Sequence, residues 1–181
     1  MVAPETHVYT TAPHAKGARQ LELDFYPAGT GADLMVFLHS GGFRGGSRIH
    51  KAHPKIAAAF AEQGIATAFL DYRLARPQAV LRPATRALQE ALIADARAAG
   101  EVMHETFYGP RALAVVEDAC AALGWAEDNR ARLGLSGRYI LAGSSAGAIS
   151  ALNTLYLPRA LGLDRPEIAT VLAFSGGFAY P

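Results

Sequence analysis

Residues 140–150 read ILAGSSAGAIS, and within them Gly143-Ser144-Ser145-Ala146-Gly147 forms the pattern G-x-S-x-G. Its meaning comes from its flanks. RYILA (138–142) is an apolar run of strand type, and AISALNTLY (148–156) reads as a helix that Pro158 would stop. A strand, a tight turn and a helix, in that order, is the setting in which a serine is presented as a nucleophile. At such a turn Gly143 and Gly147 stand where a side chain would strike the neighbouring strand and helix. Ser145 then projects from the C-terminal edge of a sheet. The amide of Ala146, at the start of the helix, points to where negative charge would develop. A glycine–serine helix start in a dinucleotide-binding sheet is the competing reading, and the absence of G-x-G-x-x-G weakens it.

Working outward, THVYT (6–10) and RQLELDFY (19–26) read as two amphipathic strands, Leu21, Leu23 and Phe25 alternating with polar neighbours. LMVFL (34–38) and IATAFL (65–70) are continuous apolar runs, as in strands buried on both faces, and EIATVLAFSG (167–176) supplies one more strand. Helical spacing covers KIAAAFAEQ (55–63), ended by Gly64, and a segment in which Ala119, Leu123, Ala126 and Ala131 share a side. Strands alternating with helices predict an α/β protein: three layers, a mostly parallel central sheet, and an antiparallel hairpin at one edge. Residues 1–181 are expected to form one domain. Residues 75–110 interrupt the alternation as a helical insertion, with Leu81, Leu88, Leu92 and Ala96 on one face broken early by Pro83. This insertion is either a cap over a pocket or ordinary packing.

A second motif, His39-Ser40-Gly41-Gly42, follows LMVFL directly. Acyl transfer needs backbone amides aimed at an oxyanion, and Gly41 and Gly42 can supply them because glycine lets the backbone come close. A histidine ending a central strand is expected to brace this loop rather than act as base. Phe43 and Ser144 are candidate pocket walls, as are the aromatics of 103–108, although core packing explains such residues equally well.

HSGGFRGGS (39–47), DYRLA (71–75) and LAGSSAGA (141–148) together resemble the α/β-hydrolases, carboxylesterase branch, with an HGGG-type oxyanion loop. That branch includes hormone-sensitive-lipase-like and feruloyl-esterase-like enzymes. The resemblance spans roughly residues 19–178. It implies that Ser145 is the nucleophile, that Gly41, Gly42 and Ala146 donate the oxyanion amides, and that Asp71, Tyr72 and Arg73 are structural. Ser40 stands where the family has its first glycine, and Ala148 where a second is common.

The family's triad runs Ser, acid, His along the chain. After Ser145 the only acids are Asp164 and Glu167, and no histidine follows. The sheet's last strands and the triad acid and histidine are therefore expected to be missing, as in a C-terminally truncated hydrolase, leaving TVLAF as an exposed edge able to self-associate. Of the upstream histidines (7, 14, 39, 50, 53 and 104), only His104 in the insertion is a conceivable substitute. His50 and His53 form an H-x-x-H pair, but without cysteine or organised carboxylates a solvated helix start is the plainer reading. No metal or organic cofactor is expected. The function read here is cleavage of small carboxylic esters through an acyl-serine. The alternative is a non-catalytic module binding an apolar ligand or a protein, and a peptidase or acyltransferase is a third possibility.

Bulk properties agree with a soluble enzyme. The 181 residues are 51% hydrophobic and 18% charged, and 17 Lys plus Arg nearly balance 16 Asp plus Glu, which argues against nucleic acid or membrane-surface partners. Cys120, the single cysteine, is expected to be a small core residue. The N-terminus has no apolar leader, so a cytoplasmic location is expected.

Overall fold

A computed structural model of the chain describes residues 3–74, 79–101 and 110–176. The hairpin of β1 (Glu5–His14) and β2 (Gly17–Tyr26) forms one edge of the sheet. β2 runs antiparallel to β4 (Ile65–Leu70), and the remaining pairings are parallel. β4 lies beside β3 (Ala32–Leu38), β3 beside β5 (Leu135–Ser144), and β5 beside β6 (Ile168–Phe174). The order is β1-β2-β4-β3-β5-β6, which leaves β6 as the other edge.

Alternation along the strands divides the core between two faces. Leu34, Val36, Leu38, Ala68 and Leu70 belong to the larger cluster. Phe37, Phe69 and Tyr26 alternate with them and meet Ala57 of α1 (His53–Ala61) on the opposite face. The larger cluster is covered by α3 (Pro110–Asp128) and α5 (Ala146–Tyr156), which pack on each other. α5 lies over β3, β5 and β6, and α3 reaches β1. Helices on both faces of a mostly parallel sheet make the three expected layers. No helix among the described residues is long and apolar enough to cross a membrane.

Three details differ from expectation. Pro83 does not interrupt a helix but begins one, α2 (Pro83–Ala98), where its missing N–H costs nothing. Leu81 lies before that helix and is buried in the core, and α2 packs on α3 and on α6 (Pro158–Leu161). The stripe through Ala119, Leu123 and Ala126 ends there. Ala131 sits exposed in a separate short turn, α4 (Arg130–Leu133), because the chain leaves the helix at Asn129. The candidate pocket aromatics of 103–108, and His104, lie outside the described residues.

Between β4 and α3 the charge is buried. Arg73 is 2% exposed, and its Nε donates to Asp118 Oδ1 at 2.8 Å and its Nη2 to Glu117 Oε2 at 2.6 Å. Nη1 donates to the Val80 carbonyl at 2.7 Å, and the Arg73 backbone N–H to Asp118 Oδ2 at 2.7 Å. A guanidinium has a planar fork of donors, so one side chain ties the end of β4, the segment before α2 and the first half of α3. Cys120, one turn further along α3, is buried as expected, and burial pushes its thiol up to about 12.

Removing Arg73 alone would strand two buried carboxylates. Arg73→Met is expected to lower unfolding free energy by about 3–5 kcal/mol in urea titration. A loss below about 1 kcal/mol would show that the ion cluster does not hold α3 in place.

Candidate active site

β3 and β5 are parallel neighbours, and their register pairs Leu38 with Gly143. The loops that follow them therefore leave the same edge of the sheet side by side. On β5, the serine turn is compressed. A Cβ on Gly143 would fall on the carbonyl of Gly147, and one on Gly147 would fall on the Leu38 carbonyl and lie 2.7 Å from the carbonyl oxygen of His39. The second glycine thus brings the turn against the start of the glycine loop.

Ser145 occupies φ 53, ψ −116, a conformation that side-chain-bearing residues rarely adopt. Its backbone N–H donates to the Phe174 carbonyl at 2.8 Å, and its own carbonyl accepts from Ile149 at 3.1 Å. The backbone is thereby held from both sides while the residue itself is exposed, beside buried Ala146, Gly147 and Ala148. Ala148, where a glycine is common, fits with no exposure. Ser144, at the end of β5, is half-buried.

The glycine loop turns on three successive positive φ angles: Gly41 at 134°, Gly42 at 59° and Phe43 at 59°. The Gly41 carbonyl accepts from Arg44 at 3.0 Å and from Gly45 at 3.1 Å, closing the loop on itself. Ser40 adopts no positive φ, so its substitution for glycine leaves the backbone unstrained. Gly41 and Gly42 are exposed. Phe43 is 1% exposed and packs in the larger core cluster. Its side chain anchors the loop from below, since a bulky residue at positive φ needs such packing to persist.

The base of the loop is held by aromatic and charged partners. His39 is 6% exposed, its Nδ1–H donates to the Ser40 carbonyl at 2.7 Å, and its ring stacks on Tyr72 at 4.1 Å. The Tyr72 hydroxyl donates to the His39 carbonyl at 2.7 Å. Downstream, Arg48 is the residue that sequence reasoning missed. Its backbone N–H and Nη1 both donate to Asp71 at 2.8 Å, its Nε to Asp24 at 3.0 Å, and its Nη2 lies 2.9 Å from Glu22. The available signal was Asp24, a charge in the apolar half of β2 that needs a buried cation.

His53 does not sit at a solvated helix start. It is 6% exposed, stacks on Phe69 at 3.7 Å, and donates from Nδ1 to the Arg48 carbonyl at 2.6 Å. Among the described residues no group of three His, Cys, Asp or Glu side chains is placed to hold a metal.

Solved structures of an esterase share this fold. Thermogutta terrifontis esterase 2 phosphorylated by paraoxon matches at TM-score 0.58 and 21% identity, over 87% of this chain and 49% of that one. The chain has the α/β-hydrolase fold. The apo form of the same esterase matches at TM-score 0.58 and 21% identity, over 87% and 48% of the two chains. A native form described as a novel thermophilic esterase matches at TM-score 0.54 and 23% identity, over 84% and 44%. This hydrolase-fold chain spans about half the length of those structures. No protein-family model matches it.

Two measurements probe the site's construction. Gly147→Ala is expected to destabilise the chain by about 1–3 kcal/mol, because backbone rather than a pliable side chain would have to move. An unfolding midpoint equal to wild type would refute the close approach. Burial lowers the pKa of both His39 and His53 from the usual 6.5. The unfolded chain then binds protons that the folded chain refuses, so their stabilisation is complete above pH 6.5 and is lost as pH falls toward the lowered folded values. Urea unfolding between pH 7.5 and 5.5 should show stability falling with pH, with a shallower slope in His53→Gln. Equal slopes in the two proteins would remove His53 from the account.

Proposed function

We propose that the chain carries the nucleophile and oxyanion half of a serine hydrolase acting on small carboxylic esters. The observation carrying this reading is Ser145, exposed and held at φ 53 by flanking hydrogen bonds at the start of α5. Backbone strain that the surroundings maintain points toward function. In the proposed reaction Ser145 Oγ attacks the ester carbonyl carbon and passes its proton to a base. The tetrahedral oxyanion is stabilised by the amides of Ala146, Gly41 and Gly42. Collapse expels the alcohol, which takes the proton, and water then releases the acid from the acyl-serine.

The base is assigned to polypeptide outside residues 1–181, together with its acid partner. His39 and His53 direct Nδ1 to carbonyls and stack on aromatic rings. His14 faces the Ala12 carbonyl at 3.2 Å, and His7 lies 3.3 Å from Glu5. β6 supports this assignment: it is an edge strand of apolar composition, yet Phe174 is 53% exposed. Sequences of that kind are ordinarily covered on both faces. The His39-Ser40-Gly41-Gly42 loop favours the HGGG-type carboxylesterase branch.

Organophosphate labelling of the protein isolated from its source is the test. A single phosphoryl adduct on Ser145 is expected by peptide mass spectrometry. Ser145→Ala should lower kcat/KM for a short-chain p-nitrophenyl ester by about 10³-fold or more. Residues 1–181 alone should label far more slowly. Failure of the isolated protein to label at Ser145 would overturn the reading in favour of a non-catalytic binding module.

A further inference from the structure

The return arm of the glycine loop lies directly against the arm that carries the Gly41 and Gly42 amides. A Cβ on Gly46 would fall on the His39 imidazole and the Ser40 carbonyl, and one on Gly41 would fall on the Gly45 carbonyl. With hydrogen alone at both positions, the two arms touch backbone to backbone. A shift of the return arm at Gly45 and Gly46 therefore moves Gly41, and the amide of Gly42 moves with it.

Arg48 holds that return arm, two residues beyond Gly46, and each of its polar groups has a partner. Its backbone N–H and Nη1 donate to the two carboxylate oxygens of Asp71, both at 2.8 Å. Nε donates to Asp24 Oδ1 at 3.0 Å, Nη2 lies 2.9 Å from Glu22, and the carbonyl accepts from His53 at 2.6 Å. The acceptors are themselves fixed to the sheet. The Asp71 N–H donates to the Glu22 carbonyl at 2.9 Å, the Asp71 carbonyl accepts from the Tyr9 hydroxyl at 2.7 Å, and Thr6 donates to Asp24 at 2.7 Å. Tyr72, the next residue, holds the outgoing arm at the His39 carbonyl. Two adjacent residues thus fix both arms of the loop. Ion clusters of this kind add little net stability over apolar packing. A guanidinium fork supplies something else, set angles and distances to carboxylates.

We propose that Arg48 is a positioning residue for ester hydrolysis. Clamped to Asp71 and Asp24, it fixes the return arm and thereby the reach of the Gly41 and Gly42 amides to the oxyanion. It acts through the loop backbone and makes no bond of its own to the reacting atoms. The inference rests on the hydrolase reading above. Because the oxyanion exists only beyond the ground state, loss of the clamp weakens turnover rather than substrate binding.

The test uses the protein at the full length its source makes, as wild type, Arg48→Met and Asp71→Asn. Asp71→Asn keeps the shape and one oxygen acceptor for the Arg48 amide, and it decides the matter should Arg48→Met not fold. Organophosphate titration, run to completion, counts the sites that label at Ser145, and rates are expressed per labelled site. On that basis kcat for a short-chain p-nitrophenyl ester is expected to fall about 10–100-fold, with KM within about threefold of wild type. The Ki of a trifluoromethyl ketone, which adds to the serine as a tetrahedral adduct, should rise by the same factor. The Ki of the product alcohol should not move. A merely structural role would lower the number of labelled sites and leave kcat per site unchanged. That result, or a fall carried by KM with both Ki values unchanged, would overturn this inference alone. Wild-type protein that does not label at Ser145 would overturn the hydrolase reading and this inference together.

Discussion

The candidate site depends on one close approach, the backbone of Gly147 against the carbonyls of Leu38 and His39. Any side chain at position 147 would push the serine turn off the neighbouring strand end. With hydrogen alone there, the turn after β5 and the loop after β3 touch. The strand register prepares this contact by ending both strands at the same level, Leu38 opposite Gly143. Sheet geometry therefore sets where the serine stands relative to the glycine amides, and side chains refine it.

The refinement comes largely from three consecutive residues just after β4. Asp71 holds Arg48 beyond the glycine loop, Tyr72 holds the His39 carbonyl before it, and Arg73 reaches back to α3. Alternation along an extended segment sends neighbouring side chains in different directions, so one short motif braces both ends of a loop and a helix. Each bond is charge-assisted or buried, which makes it stronger than a solvent-exposed equivalent. The aromatic stack of His39 on Tyr72 adds a flat contact that resists tilting of the loop base.

Much of this was legible in the amino-acid order. The hairpin, the apolar parallel strands and the helix after Ser145 follow from periodicity and from Gly and Pro punctuation, which are local signals. The start of α2 was misread because proline favours a first helical turn as strongly as it breaks an interior one. The continuation of the α3 stripe to Ala131 failed because helical spacing persists on paper across a break at Asn129. Arg48 was invisible, since its three carboxylate partners come from β2 and from the end of β4, and such a convergence exists only after the sheet has formed. His53 was misjudged for the same reason, its aromatic partner Phe69 lying on another element.

One bond at the serine turn has a temporal side. The Ser145 amide is taken up by the Phe174 carbonyl, the last residue of β6. A chain emerging from the ribosome exposes the G-x-S-x-G turn well before it exposes that carbonyl, and parallel strand pairing must await the intervening helix. Until β6 joins the sheet, nothing from that strand holds the serine in its rare backbone conformation. Ser145 thus acquires its final backbone conformation only after Phe174 has been made and β6 has paired with β5.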